Sequence, residues 1–318
     1  MTLATLLAAV SVAFPQEGQR LPILSRCYVI GATDGAEPFV RVAGVPVPVH
    51  RTGAWATAVD VVPGLNALWV GGKRHSFFVG PGAHKSPSAS AARSAKTPAP
   101  ATRPSRAAAV SRNGGYGKLP YAADVAKPHP RGKRPSAVTI VVDAGHGGED
   151  AGALSPHALP EKDANLRLAR DVEAHLKARG FRVVMTRTDD SALALYDRPK
   201  VAHQVKADAF VSIHHNAPGY ATNPAGCRYQ AVYSWNALGD RLAKAVVRRL
   251  AAARPSLPSK GVVRANYAVT RNPEIPSCLV EADFVTHPEG ESAIWDASCR
   301  EVAAAAIADG IADWLAER

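Results

Sequence analysis

The chain has 318 residues, 47% of them apolar, and its 38 Lys and Arg against 27 Asp and Glu give a net charge of +11. That length and apolar content hold one substantial domain plus a smaller one, and exclude a chain that is disordered throughout. Residues 81–136 carry eleven Lys/Arg against the single acid Asp124 and so supply +10 of the charge, which leaves the rest near neutral and removes the case for a nucleic-acid-binding surface.

Residues 3–13 form an apolar stretch too short to cross a bilayer as a stable helix. With the small residues Ser11-Val12-Ala13 offering a cleavage site, residues 1–20 read as an export signal. The absence of Lys or Arg after Met1 leaves a buried segment as the alternative. Between 22 and 80, short β-type runs at 27–30, 39–42, 45–49, 57–62, 67–70 and 77–79 are broken at Gly31, Gly44, Gly53 and Pro63-Gly64, which predicts a small antiparallel β-sandwich. Residues 53–70 resemble the short immunoglobulin-like modules appended to bacterial surface enzymes. Residues 81–136 are rich in Pro, Ala, Ser and basic groups with hardly any aliphatic periodicity. They cannot bury enough surface to offset the entropy of ordering, and read as a flexible, disordered basic linker. Such a segment acts as a solvated spacer or as a tether to anionic envelope polymers, and spacing is the commoner role.

From 137 to 318 strands alternate with helices, the pattern of an α/β domain whose mostly parallel sheet is covered by helices on both faces. Val138–Val142 is an uninterrupted apolar run and predicts a buried strand. Residues 161–179 place Leu166, Ala169, Val172 and Leu176 on one stripe before Gly180, as an amphipathic helix does. Strands are expected at 181–186, 209–213, 229–234, 267–270 and 278–282, and helices at 198–204, 237–252 and 298–317, the last with a core stripe of Val302, Ile307, Ile311 and Trp314. No further segment is long and apolar enough to span a membrane. Cys27, Cys227, Cys278 and Cys299 have no CxxC spacing and read as core thiols; Cys278 and Cys299 could bridge in an oxidising compartment.

In a parallel sheet, functional groups gather beyond the carboxyl ends of the strands. His146 follows the strand at 138–142 within the glycine-rich turn Gly145-His146-Gly147-Gly148, His214 follows 209–213, and Glu281 closes 278–282. Glu161 opens a helix just after Pro160. Two imidazoles and a carboxylate are first-choice zinc ligands and leave a fourth position for water, so His146, Glu161 and His214 are the candidate metal ligands and Glu281 the candidate general base. Glu149 and Asp150 also lie near His146, and an acid at a helix start is ordinarily a capping charge. His215, next to a ligand in extended chain, points to the opposite side. Asn216 either orients substrate or holds its loop, and Arg198 reads as an ion-pairing residue for packing rather than a substrate contact. His50, His75, His84, His129, His157, His175 and His203 read as ordinary core or surface groups.

The strings VDAGHGG, EKDANL, RTDD with Tyr196-Asp197-Arg198, ADAFVSIHHN and IPSCLVEADF occur in this order. Together they resemble the zinc-dependent N-acetylmuramoyl-L-alanine amidases of the amidase-3 family over about residues 137–316. The resemblance implies Zn2+ on His146, Glu161 and His214, Glu281 as the catalytic carboxylate, and cleavage of the amide between the lactyl group of N-acetylmuramic acid and L-alanine of the peptidoglycan stem. It also implies a cell-wall-remodelling enzyme; the export signal places the protein in the periplasm or outside the cell, and a monomer is expected. Two departures are visible: His215 stands where a small residue is commoner, and residues 282–287 replace a Gly-Phe-containing turn. Some relatives carry a helical insertion after the SIHHN strand that blocks the zinc. Here about a dozen residues, 217–228, separate that strand from the next, which predicts an open site. The competing readings are another zinc-dependent amide hydrolase, peptidase or deacetylase, and a non-catalytic wall-binding protein.

Overall fold

The computed structural model of the chain describes residues 9–35, 37–80, 130 and 132–317. The amino-terminal part is all β: β1 (Val10–Phe14), β2 (Arg20–Leu21), β3 (Arg26–Thr33), β4 (Phe39–Val42), β5 (Val45–Pro48), β6 (Ala54–Asp60), β7 (Gly64–Val70) and β8 (Lys73–Val79). They form a three-stranded sheet β1-β3-β6 and a five-stranded sheet β2-β8-β7-β4-β5. The alternation that defines a half-buried strand is plain in β7, where Asn66, Leu68 and Val70 are buried and Leu65, Ala67 and Trp69 are not. Trp55, Phe77, Val29, Val42 and Val70 share the core of this part.

Residues 10–14, which fall within the segment 1–20 expected to be a leader, form β1, which pairs antiparallel with β3. Ala13 is buried, and the Phe14 ring lies 4.6 Å from that of Tyr28. Cutting after Ala13 would remove most of this strand. The basic segment 81–136 falls outside the described residues apart from 130 and 132–136.

The carboxyl-terminal part contains β9 (Thr139–Ala144), α1 (Glu161–Ala178), β10 (Arg182–Met185), α2 (Arg198–Gln204), β11 (Ala209–Asn216), β12 (Gln230–Ser234), α3 (Ala237–Ala253), β13 (Ser259–Arg264), β14 (Ser277–Phe284), α4 (Pro288–Trp295) and α5 (Ala297–Ala316). The sheet order is β10-β9-β11-β14-β12-β13. The first four strands run parallel, while β12 and β13, parallel to each other, run the opposite way. Ile140, Val142, Val211, Ile213 and Val280 face α1, α3 and α5 through Leu168, Val172, Leu242, Val246, Ile307, Ile311 and Trp314. Val141, Phe210 and Leu279 face the other way, against Ala202 of α2 and Val269 and Ile275 of the segment before β14. The expected mostly parallel sheet with helices on both faces is the architecture found.

The differences are local and have physical causes. Residues 267–270 form a turn rather than a strand: Thr270 N–H donates to Tyr267 O, and its hydroxyl donates to Ala265 O. The edge strand lies earlier, at β13, where Gly261 at φ +68° interrupts a run with only two aliphatics. Helix α4 is additional to the expected elements: Pro288 occupies its first turn, where its missing N–H costs nothing, and the His287 ring accepts from Glu289 N–H. Val302 is exposed, so the α5 stripe uses Ile307, Ile311 and Trp314 without it. Leu168 takes the fully buried place on α1 that was expected of Leu166. Cys27, Cys227, Cys278 and Cys299 are all free; Cys27 and Cys278 are buried, Cys227 is half-buried, and Cys299 is exposed, so no 278–299 bridge forms.

Candidate metal centre

Strand register brings the site together. On adjacent parallel strands His214 pairs with Glu281, and Ile213 pairs with Ala144 at the end of β9. Gly145 N–H then donates to Ile213 O at 3.0 Å, which sets His146 just beyond the strand end and beside His214. Gly145 has to lack a side chain, because a Cβ there would sit 2.2 Å from the His214 ring. Gly152 is a second such place: at φ +67°, its Cβ would lie 2.6 Å from Glu161 Oε2 and 2.8 Å from His146 Cδ2. His146 itself sits at φ +58°, a left-handed conformation that a side chain rarely adopts.

His146, Glu161 and His214 each offer a ligand atom, and these atoms all lie within 4.8 Å of one another. Glu161 Oε1 is 3.2 Å from His146 Nε2 and 3.1 Å from His214 Nδ1. The two imidazoles meet edge to face at 76°, with centroids 4.9 Å apart. Such a donor set suits a divalent metal ion. On the far side of the first ring, His146 Nδ1 lies 2.8 Å from Asp150 Oδ2, a carboxylate contact of the kind that orients metal-binding histidines. Burial opposes charging His146, yet Glu161 and then Asp150 outweigh it and its pKa is pushed up to about 9. Burial would raise Glu161, but hydrogen bonds from both histidines hold it well below the usual carboxylate range.

Glu281 completes the group. Its Oε2 is buried without a hydrogen-bond partner among the described residues, and burial followed by the charge of Glu161 drives its carboxyl well above the usual range. A buried carboxylate oxygen with no donor is costly unless something else is meant to meet it. The rings stay open to solvent, with side-chain exposures of 24% for His146 and 17% for His214, in keeping with the short 217–228 connection.

Several supporting residues were not singled out from the sequence. Asp143 is fully buried and accepts from Thr186 Oγ1 (2.6 Å), Ser212 Oγ (2.6 Å) and Arg198 (2.9 Å). Arg198 also donates to Ala144 O and His146 O, at 2.8 and 2.7 Å. Arg187 donates to Ala144 O, Gly145 O and Lys162 O. Two guanidinium groups thus grip the backbone of the His146 turn from behind, and Arg198 is the ion-pairing group expected. Asn165, one turn into α1 from Glu161, donates to Glu161 Oε1 (3.1 Å) and to Gly145 O, and its own Oδ1 lies 2.8 Å from His215 Nδ1. His215 is buried on that side, where burial pushes its pKa down to about 4, and it is absent from the ligand cluster. The Asn216 carbonyl accepts from Val285 N–H at 2.9 Å. A sequence cue for Arg187 and Asp143 existed, since both lie inside the RTDD and VDAGHGG strings.

The family described as N-acetylmuramoyl-L-alanine amidase matches residues 140–313. A "Probable cell wall amidase LytH" of Staphylococcus epidermidis is 34% identical over 179 residues, which is 56% of this chain and 58% of that protein. Its Staphylococcus aureus counterpart is 33% identical over 175 residues, 54% of this chain and 57% of that protein. The chain therefore spans somewhat over half the length of these curated relatives. Among solved structures, the amidase AmiC2 of Nostoc punctiforme is similar at 33% identity with a TM-score of 0.53, covering 56% of this chain and 97% of that one. The catalytic domain of CwlV, an N-acetylmuramoyl-L-alanine amidase from Bacillus (Paenibacillus) polymyxa var. colistinus, gives the same TM-score and identity over 56% of this chain and 98% of that one.

Proposed function

Because this chain belongs to the N-acetylmuramoyl-L-alanine amidase family, we propose that it hydrolyses the amide joining the lactyl group of N-acetylmuramic acid to L-alanine of the peptidoglycan stem. Residues 137–317 form the catalytic part in this reading and residues 10–80 an appended module. Zn2+ is the ion assigned to His146, Glu161 and His214, since two imidazoles and one carboxylate make the three-ligand set of a catalytic site with a vacant fourth position. When bound, zinc supplies Lewis acidity, which makes water easier to deprotonate and an amide carbonyl more electrophilic. Glu281 Oε2 accepts the proton of the attacking water as its oxygen bonds to the amide carbon. The same Oε2 then delivers that proton to the departing nitrogen as the carbon–nitrogen bond breaks, and no covalent intermediate with the protein forms. Asp150 holds the proton on His146 Nδ1, and Asn165 holds Glu161 Oε1 in place.

One observation carries this reading: three donors within 4.8 Å of one another share the rim of the sheet with a buried carboxylate oxygen that has no partner among the described residues. A wall substrate requires export to the periplasm or the outside, and none of the described helices is long and apolar enough to cross a membrane. Purified peptidoglycan treated with the protein is expected to release intact stem peptides with a free L-alanine amine, to stop doing so after chelation, and to recover with added zinc. Mass spectra showing acetate or internal peptide cleavage instead would replace this reading with a deacetylase or a peptidase. A Glu281→Gln variant as active as the parent would remove the assigned base.

A further inference from the structure

Among the described residues, nothing covers one face of the five-stranded sheet of the amino-terminal module. Its inner face is buried through Val40, Val42, Val47, Leu68, Val70, Phe77 and Val79. The carboxyl-terminal part is met by the other sheet: Tyr28 N–H donates to Tyr220 O at 2.7 Å, and the Phe14 ring stacks on Tyr220 with centroids 5.8 Å apart. The outer face of the five-stranded sheet carries exposed Trp69 (60%), Leu65 (53%) and Phe39 (42%). Strand pairing sets Arg74 beside Trp69 and Phe78 beside Leu65. Arg20 lies 4.6 Å from the Phe78 ring centroid and Arg41 lies 5.7 Å from that of Phe39. The face therefore repeats one chemical unit three times along its length, a flat apolar side chain beside an exposed guanidinium.

Arg20, Arg41 and Arg74 make no ion pair among the described residues. Glu17, which bonds to β8, is engaged by the Ser76 N–H and hydroxyl and by His75, with Arg74 acting on it only through its charge. An aromatic ring accepts the apolar C–H face of a sugar, and a guanidinium held beside it accepts a carboxylate in a bidentate pair. A two-fold contact with a second copy would bring these arginines against one another, and lipid phosphates would use the charges but leave the flat rings without a ring to stack on.

We infer that this face binds a polymer of sugar rings bearing carboxylates, namely the peptidoglycan strand, at a place separate from the metal centre. The occupant rests on the amidase reading; the chemistry of the face does not. The test uses the full chain in a Glu281→Gln background and measures co-sedimentation with purified, undigested sacculi. Trp69→Ser and, separately, Arg74→Glu are expected to weaken binding about tenfold each, the loss typical of an anchor residue. In the Glu281 background both variants are expected to release stem peptides from short soluble fragments at the parental rate. Because Trp69 and Arg74 are exposed, circular dichroism of both should match the parent. Undiminished sedimentation of both variants would overturn the inference. So would parental binding to phospholipid vesicles that these variants lose, or a dimer that Trp69→Ser dissociates. Should the parent bind sacculi through this face yet release no stem peptide, the activity assignment would fail and the binding face would stand.

Discussion

Replacing Arg198 with Met keeps the aliphatic stem and removes a guanidinium that ends in four contacts. One is to Asp143 Oδ1 at 2.9 Å, and the others are to the carbonyls of Ala144, His146 and Leu193 at 2.8, 2.7 and 3.2 Å. The pair is dry, with side-chain exposures of 6% for Arg198 and 0% for Asp143, so solvent screening gives no relief. Removing one partner of a buried ion pair costs about 3–5 kcal/mol, because the remaining charge stays buried. Thr186 and Ser212 still donate to Asp143, which places the expected loss toward the lower end, about 3 kcal/mol. Urea denaturation at constant m-value measures this directly. The second consequence is local: Arg198 is one of two groups fixing the backbone at His146, so zinc affinity measured by chelator competition should fall about 10–100-fold, the usual cost of losing a group that orients a ligand. An Asp143→Asn change should be less harmful in the Arg198→Met background than alone, since the unpaired charge is then gone. If Arg198→Met unfolds within about 1 kcal/mol of the parent and binds zinc equally well, the clamp is not what holds the turn.

Gly145→Ala should lose metal binding while retaining most of its helical signal, because its Cβ meets the His214 ring at 2.2 Å; atomic absorption after dialysis checks it. Ile311→Ala, in the fully buried interface between α5 and the sheet, should cost about 2–5 kcal/mol in urea denaturation. Asn236 caps α3 by accepting from Gly239 N–H at 2.9 Å, and its amide donates to Asn272 O, so Asn236→Ala should cost about 1–2 kcal/mol by the same assay. At the start of α5, hydrogen bonds from Ser298 and Cys299 lower Asp296 from 3.8 to about 2. The folded value is the lower one, so its contribution is present above pH 3.8 and lost as pH falls toward 2; a melting-temperature series across that window should be flatter for Asp296→Asn than for the parent.

Much of this arrangement was legible because strand-end position carries it. A strand with Ile140 to Val142 buried ends where His146 must emerge, and a run from Ala209 to Ile213 does the same for His214, so two imidazoles at one rim follow from hydrophobic pattern alone. Glu281 is legible for a related reason, as a carboxylate closing an apolar strand. Arg187, Asp143 and Asn165 were marked only by lying inside the RTDD, VDAGHGG and EKDANL strings, because their partners are backbone carbonyls and side chains far along the chain, and a lone Arg, Asp or Asn has no periodicity to expose it. Strand β13 escaped because its bulge at Gly261 breaks the alternation that marks a strand, and α4 because the imidazole of His287 caps it in place of the usual hydroxyl or carboxylate. Residues 10–14 fit two readings in sequence, because an apolar run ending in small residues is common to a leader and to a strand whose inner positions are tightly packed, here against β3.

The left-handed backbone of His146 explains why so many groups converge on one turn. A non-glycine residue at φ +58° costs on the order of 1–3 kcal/mol and persists only where its surroundings over-determine it. Arg198 on its own carbonyl, Arg187 on the carbonyls of Ala144 and Gly145, and Asp150 on its ring supply that constraint from three directions. The strain buys a direction: it turns Nε2 back over the end of the sheet toward Glu161 and His214, two elements that the fold places independently. Because the constraint comes from the protein's own hydrogen bonds, little ordering entropy opposes the binding of an ion by these donors. The glycines on either side of His146 allow the turn, but the buried arginines decide which of its conformations is kept.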